Sequence, residues 1–247
     1  MKTISPKHQL IAKAGSVYLT LILTGIFAHF FVRAGIIEPG NAAATAQNIL
    51  NRDFFFRLGL VSDLMFIVSF IFLGLIFYRM FQTTNKHYAR ALLAVVLVSG
   101  AMMGVNVLNQ FAAQFVLGGN EYLAVFSEQQ LQALSLFFLD LHTHGVHIGH
   151  LFYGLWLFAL GYLVMKSDLF PGVWAKIFGG LLIAGAVGYE IDFLSYFLFP
   201  AYFGAISEFA TIPANLGELS LCIWLIFKGA IRKDKHRVVY TAINSEK

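Results

Sequence analysis

The chain has 247 residues, 58% of them hydrophobic and only 12% charged, with a mean hydropathy of +0.72. That is too little charge to cover a soluble domain, and the single cysteine, Cys222, leaves no internal disulfide for the fold to rest on. The net charge of +4 and pI of about 9.1 come from loop and tail residues, which points to membrane topology and away from nucleic-acid binding.

Lys2, Lys7 and Lys13 precede an apolar run over 14–32. It is long and lacks a small-residue cleavage site, so it reads as a retained first span rather than a signal peptide. Residues 33–57 are polar enough for a loop, with a turn at Pro39-Gly40-Asn41 and a short surface helix over 42–50. The second span covers 58–78 and stops at Arg79, and a basic loop with Lys86, His87 and Arg90 follows. The third covers 91–116 and is broken by Gly118-Gly119-Asn120, after which Ser127 to Gln130 has the form of a capping box. The helical pattern over 128–165 would be ~57 Å long, too long for one upright span. Residues 129–140 are therefore expected at the interface or as an outward extension, and 141–165 as the fourth span. The fifth covers 177–199 and ends at Pro200; the sixth covers 213–227, with Thr211 as a cap; a basic tail fills 233–247.

Lysine and arginine fix the expected orientation. The N-terminus, the second-to-third loop, the fourth-to-fifth loop and the tail carry 3, 3, 2 and 6 of them, 14 of the 17. Arg33, Arg52 and Arg57 are left for the opposite side, so both termini are expected in the cytoplasm. The expected fold is an all-α integral membrane protein, one domain built as a six-transmembrane-helix bundle in a lipid bilayer.

Five acids fall within or beside these spans: Asp63, Asp140, Glu190, Asp192 and Glu218. No lysine or arginine is expected deep in any span, so the acids must be protonated, hydrated, bonded to histidine or bound to a cation. Asp63 stands 16 residues from Arg79, His29 16 from Lys13, Asn106 16 from Arg90 and His150 16 from Lys166. Glu190 and Asp192 stand 14 and 16 from Lys176. At 1.5 Å per residue these lie ~21–24 Å from the cytoplasmic edge, a polar layer in the outer half of the bilayer. Glu218, 10 residues from Lys228, lies near the midplane.

At ~100° per residue, Asp140, His144 and His147 share one side of the fourth span, with His150 at its edge. His142 lies nearly opposite, beside Gly145 and Gly149, while Asp192 shares its side with Gly185, Gly188 and Ser195 and Glu190 points away. Small residues mark close helix contacts, so His142 and Asp192 are expected buried and able to pair, either to position helices or as part of a site. Ser99, Asn106, Asn109, Gln110 and Ala113 form a stripe on the third span that reads as interhelical glue or as a ligand surface. His144, His147 and His150, one turn after Asp140, have the i, i+3 spacing with which imidazoles share a metal ion such as zinc, iron or manganese. Hydration at the outer surface is the plainer reading of the same residues. No His-Glu-x-x-His motif, no glycine-rich phosphate loop and no identifiable serine nucleophile is present.

Several short stretches, in order, resemble a bacterial membrane family described as domain of unknown function 4386. They are Glu38 to Ala46, Phe56-Arg57-Leu58-Gly59 with Asp63, Asp140-Leu141-His142 before a glycine-rich span, Ile191-Asp192, and Leu216-Gly217-Glu218. The resemblance implies a six-span bacterial cytoplasmic-membrane protein and no particular activity. The family pattern has an aromatic or small residue where this chain has His144, and no histidines matching His147 and His150. On that basis the histidine cluster is peculiar to this chain, and Asp63, His142, Asp192 and Glu218 are the shared site.

Three functions fit. The first is binding or transport of a small molecule, proton or cation through Asp63, Asn106, His142, Asp192 and Glu218. The second is a metal-dependent intramembrane enzyme acting on a lipid-like substrate, with His144, His147 and His150 as ligands and Asp140 or Glu190 as ligand or base. A haem held between His29 and His150 is a variant of it. The third is a structural or interaction protein. Substrate, enzyme status and oligomeric state are not encoded in any motif present.

Overall fold

A computed structural model describes residues 6–245 and the side chains of 8–230; Lys2, the side chain of Lys7 and the basic side chains of the tail lie outside that set. Helix α1 (Pro6–Ile26) continues through a π-helical stretch, Phe27–Arg33, into the short turn α2 (Ala34–Ile36). The surface helix α3 (Ala42–Asn51) follows, then α4 (Asp53–Phe81), α5 (Lys86–Phe115), α6 (Glu128–Lys166), α7 (Val173–Leu198), α8 (Phe203–Ala210) and α9 (Ile212–Ser245). Among the described residues, six stretches are long and apolar enough to cross a membrane: His8–Ile36, Asp53–Phe81, Lys86–Phe115, Glu128–Lys166, Val173–Leu198 and Phe203–Ala230. The protein is a multi-pass, all-helical membrane bundle.

The helix starts obey local chemistry. The Asn41 side chain accepts from the Ala44 amide at 3.0 Å, and Asn85 accepts from His87 and Tyr88 at 3.1 and 3.2 Å. Ser127 and Gln130 form the reciprocal capping box that their spacing predicts.

The six long helices form a closed ring in which α1, α4, α5, α6, α7 and α9 each pack on their neighbours in the chain, and α9 closes on α1. Neighbours run antiparallel. Ser62 of α4 donates to the Thr24 carbonyl of α1 at 2.9 Å, and Gly15 of α1 meets the backbone of Leu225 and Ile226. Glycine permits these approaches: a Cβ at Gly161 would stand 2.8 Å from the Gly179 carbonyl, and one at Gly185 2.5 Å from the Ala214 Cα. The start of α1 and the end of α9 therefore lie at one end of the ring, the terminal end, and α3 and α8 at the far end. The ring centre holds Tyr18, Phe70, Phe77 and Trp156, each at most 3% exposed. Trp156 meets Phe70 edge-on at 5.1 Å, stacks on Phe77 at 6.2 Å and meets Tyr18 edge-on at 6.4 Å. Around the outside, Phe30, Phe31, Val105 and Leu108 are 62–66% exposed, the apolar surface that lipid covers.

One boundary differs from expectation. Residues 33–36 are not loop: the helix runs on to Ile36, carrying Arg33 inside the bundle, and α4 already begins at Asp53. Of the two alternatives for residues 129–140, the structure has the extended helix: α6 is one unbroken helix of 39 residues.

Candidate functional site

The far half of the ring holds two separate polar groups. The first joins α1, α4, α5 and α6. Arg33 donates to Asp63 Oδ2 at 2.5 Å, and Gln110 Nε2 donates to the same oxygen at 2.8 Å. The expectation that no basic side chain enters a span is thus corrected. A π turn takes in one more residue than an α turn, which changes the face that follows. At the end of the π-helical stretch, Val32 packs on Gly59 and Arg33 reaches Asp63. The other N–H of Gln110 meets His142 Nε2 at 3.0 Å, and His142 Nδ1 lies 3.2 Å from the Asn106 carbonyl. A carbonyl can only accept, so Nδ1 carries the hydrogen and Nε2 accepts from Gln110. Asn106 Nδ2 donates to the His142 carbonyl at 2.9 Å, and Asn109 donates to Asn106 Oδ1 at 3.0 Å. Every polar atom of His142 and Asn106 is satisfied and both are buried, which makes this group a clamp between α5 and α6. The expected His142–Asp192 pair does not form.

The second group joins α6, α7 and α8. Asp192 has no exposed surface. His147 Nδ1 lies 3.3 Å from Asp192 Oδ2, and His150 Nδ1 is bonded to the same oxygen. Ser207 donates to the other oxygen, Oδ1. Both imidazoles direct Nδ1–H at the carboxylate, which leaves each Nε2 for other partners. His147 stacks on Tyr196 at 3.8 Å and meets Phe203 edge-on at 4.9 Å, so α8 roofs the group with Phe203 and Ser207. The ligand atoms of His147, His150 and Asp192 lie within 4.8 Å of one another, a separation that a metal ion can bridge.

The remaining sequence candidates fall elsewhere. His144 is exposed and turns Nδ1 to the Asp140 carbonyl at 2.8 Å, and the Asp140 side chain is exposed. Glu190 faces away from the side of Gly185 and Gly188, but toward α6: among the described residues its buried Oε1 has no hydrogen-bond partner, and a Cβ on Gly154 would meet it. His29 is exposed and packs edge-on against Phe30, while His150 turns to Asp192, so the two are not brought together as a haem pair. Glu218 lies deeper and accepts from Tyr18 at 3.1 Å.

Ser207, Tyr196 and Tyr189 were not singled out by sequence. Ser207 sits seven residues past Pro200 in a segment with no motif, and only its place on α8 brings it to Asp192.

One relative is an uncharacterized protein of Archaeoglobus fulgidus, 35% identical over 82 residues, which are 33% of this chain and 44% of that protein. The chain thus spans less than half the length of that relative. No solved structure matches. The family model for a domain of unknown function, DUF4386, matches residues 13–229, and the chain belongs to that family.

Proposed function

We propose that this protein binds a divalent transition-metal ion, or passes it on, through His147, His150 and Asp192, from the far side of the membrane. The observation that carries the reading is the convergence of two imidazole nitrogens and a fully buried carboxylate within 4.8 Å. Imidazole and carboxylate suit zinc, iron or manganese. Three protein ligands leave a fourth position for water or a passing ligand. Ser207 would hold the carboxylate, and Tyr196 and Phe203 the His147 ring, as outer partners do in metal sites. On entry of the ion the Nδ1 protons leave, so binding weakens as pH falls. The reading joins two sequence hypotheses: cation binding or transport and Asp192 come from the first, and His147 and His150 as metal ligands from the second. Asp63, Asn106 and His142 belong to the clamp, and His144, Asp140 and Glu190 are not ligands. The lysine and arginine distribution supports a far end on the outer face of the membrane, with both termini inside.

The test is elemental analysis of detergent-purified protein after exposure to Zn, Fe and Mn, beside His147→Ala/His150→Ala and Asp192→Asn. Near-stoichiometric metal in the parent and its loss in both variants is expected. Absence of metal, or its retention in the variants, overturns the reading.

A further inference from the structure

We propose that Glu218 is a proton-exchange site at the closed end of a polar well that opens only toward the far end of the bundle. His147, His150, Tyr153, Tyr189 and Glu218 all keep partial accessibility. They descend in order. The His147 and His150 rings are 5.1 Å apart, His150 lies 5.0 Å from Tyr189 and 6.0 Å from Tyr153, and the two tyrosines lie 5.8 Å apart. The Glu218 carboxyl interacts electrostatically with both tyrosines and accepts from Tyr18. Below it the well is sealed. Tyr18, Trp156 and Phe77 are at most 2% exposed and pack ring against ring, and Leu157 and Leu160 behind them are fully buried.

The partners define the chemistry. Tyr18 from α1 donates to Glu218, and Tyr153 from α6, Tyr189 from α7 and, one turn along its own helix, Cys222 lie within electrostatic reach of it; α4 brings Phe77 against Tyr18 and Phe70 against Trp156. Among the described residues no lysine, arginine or histidine forms an ion pair with it. The contrast is with Asp63, held by a guanidinium, and Asp192, held by two imidazoles. A carboxyl near the midplane with one phenolic donor and no cation is stable as the acid. The Tyr18 hydroxyl supports the ionised form once the proton leaves. The proton on the carboxyl oxygen passes up the well to water at the far end and returns the same way. No bond other than O–H is made or broken. The inference does not need the metal reading: the well would serve a proton whether or not His147 and His150 hold an ion.

The test is pH-difference infrared spectroscopy of the full chain in vesicles of known orientation. A protonated carboxyl gives a carbonyl band distinct from that of a carboxylate. We expect one such band to vanish as far-side pH rises, to ignore terminal-side pH, and to be missing in Glu218→Gln. Glu218→Asp should restore a displaced band, which controls for misfolding in the glutamine variant. Tyr18→Phe removes the donor to the ionised form, so the band should persist about one to two pH units higher. A Glu218-dependent band that never changes, follows terminal-side pH, or is absent at every pH overturns the proposal. His147→Ala/His150→Ala should leave the Glu218 titration in place. Metal loss with titration kept therefore separates the two readings, as does titration in a protein that never binds metal.

Discussion

Replacing Arg33 separates a structural anchor from a ligand site. The guanidinium lies 2.5 Å from Asp63 Oδ2, with the two side chains only 18% and 14% exposed. Arg33→Gln leaves the Asp63 carboxyl in the far half of the bundle with no cation and one neutral donor, Gln110, at 2.8 Å. Breaking a buried pair by removing one partner costs about 3–5 kcal/mol, and the residual exposure here puts the loss near about 3 kcal/mol. Asp63→Asn removes the charge that needs compensation. It leaves Arg33 close enough to the far end to extend its head toward water, so its cost should be about 1–2 kcal/mol. The double variant carries neither charge and should cost little more than Asp63→Asn, a coupling energy of about 2 kcal/mol.

The assay is reversible unfolding of all four proteins in mixed detergent micelles, followed by fluorescence of Trp156, Trp174 and Trp224. The reasoning is refuted if the two single losses add to within about 0.5 kcal/mol in the double variant, since independent sites add that closely. It is also refuted if Asp63→Asn costs more than Arg33→Gln. Metal binding at His147, His150 and Asp192 should survive in the double variant, because no hydrogen bond joins the two polar groups among the described residues.

Two other substitutions test the division of the histidines. Gly145→Ala would place a Cβ 2.2 Å from Asn106 Oδ1, so Asn106 must leave and release both the His142 carbonyl and Asn109. The same unfolding assay should read a loss of about 2–4 kcal/mol, with metal binding intact. His144→Ala should leave metal affinity unchanged in a titration, because its ring turns to the Asp140 carbonyl. In that titration Ser207→Ala should weaken binding about 10-fold by freeing one oxygen of Asp192.

Much of the architecture was legible in the sequence because lipid imposes a simple rule: each crossing needs a run of apolar residues closed by charge or by a helix breaker. The six spans, the Asn41 turn and the Ser127 capping box follow from that rule and from local hydrogen bonding. The rule fails at Arg33 for a physical reason. A run appears to end at its first charge, yet Arg33 and Asp63 enter together as a neutral pair that neither segment reveals alone. The faces of α6 were also legible: His142 and His147 are five residues apart and point about 140° from each other. Which helix each face meets was not. In the closed ring α6 lies between α5 and α7, so His142 is spent on Asn106 and Gln110 while His147 and His150 receive Asp192. Antiparallel neighbours in chain order are the default for short connections, and applying that order to the faces would have separated the two groups.

Asp63 and Asp192 stand equally far along their helices from a basic residue, 16 from Arg79 and from Lys176, yet their surroundings give them different capabilities. Asp63 is held by a guanidinium that stays charged at any physiological pH, so the pair has one state and serves as a fixed joint. Asp192 is held by two imidazoles, whose nitrogens can take either a proton or a metal. Glu218 is held by a phenol, which supplies no charge, so the acid itself must change state. From Asp63 through Asp192 to Glu218 the cation available to each carboxyl becomes steadily less permanent. Exchange of a cation requires partners that can give it up, and only the second and third acids have them. That is why the two proposals rest on Asp192 and Glu218 and not on Asp63, at a similar distance along its helix.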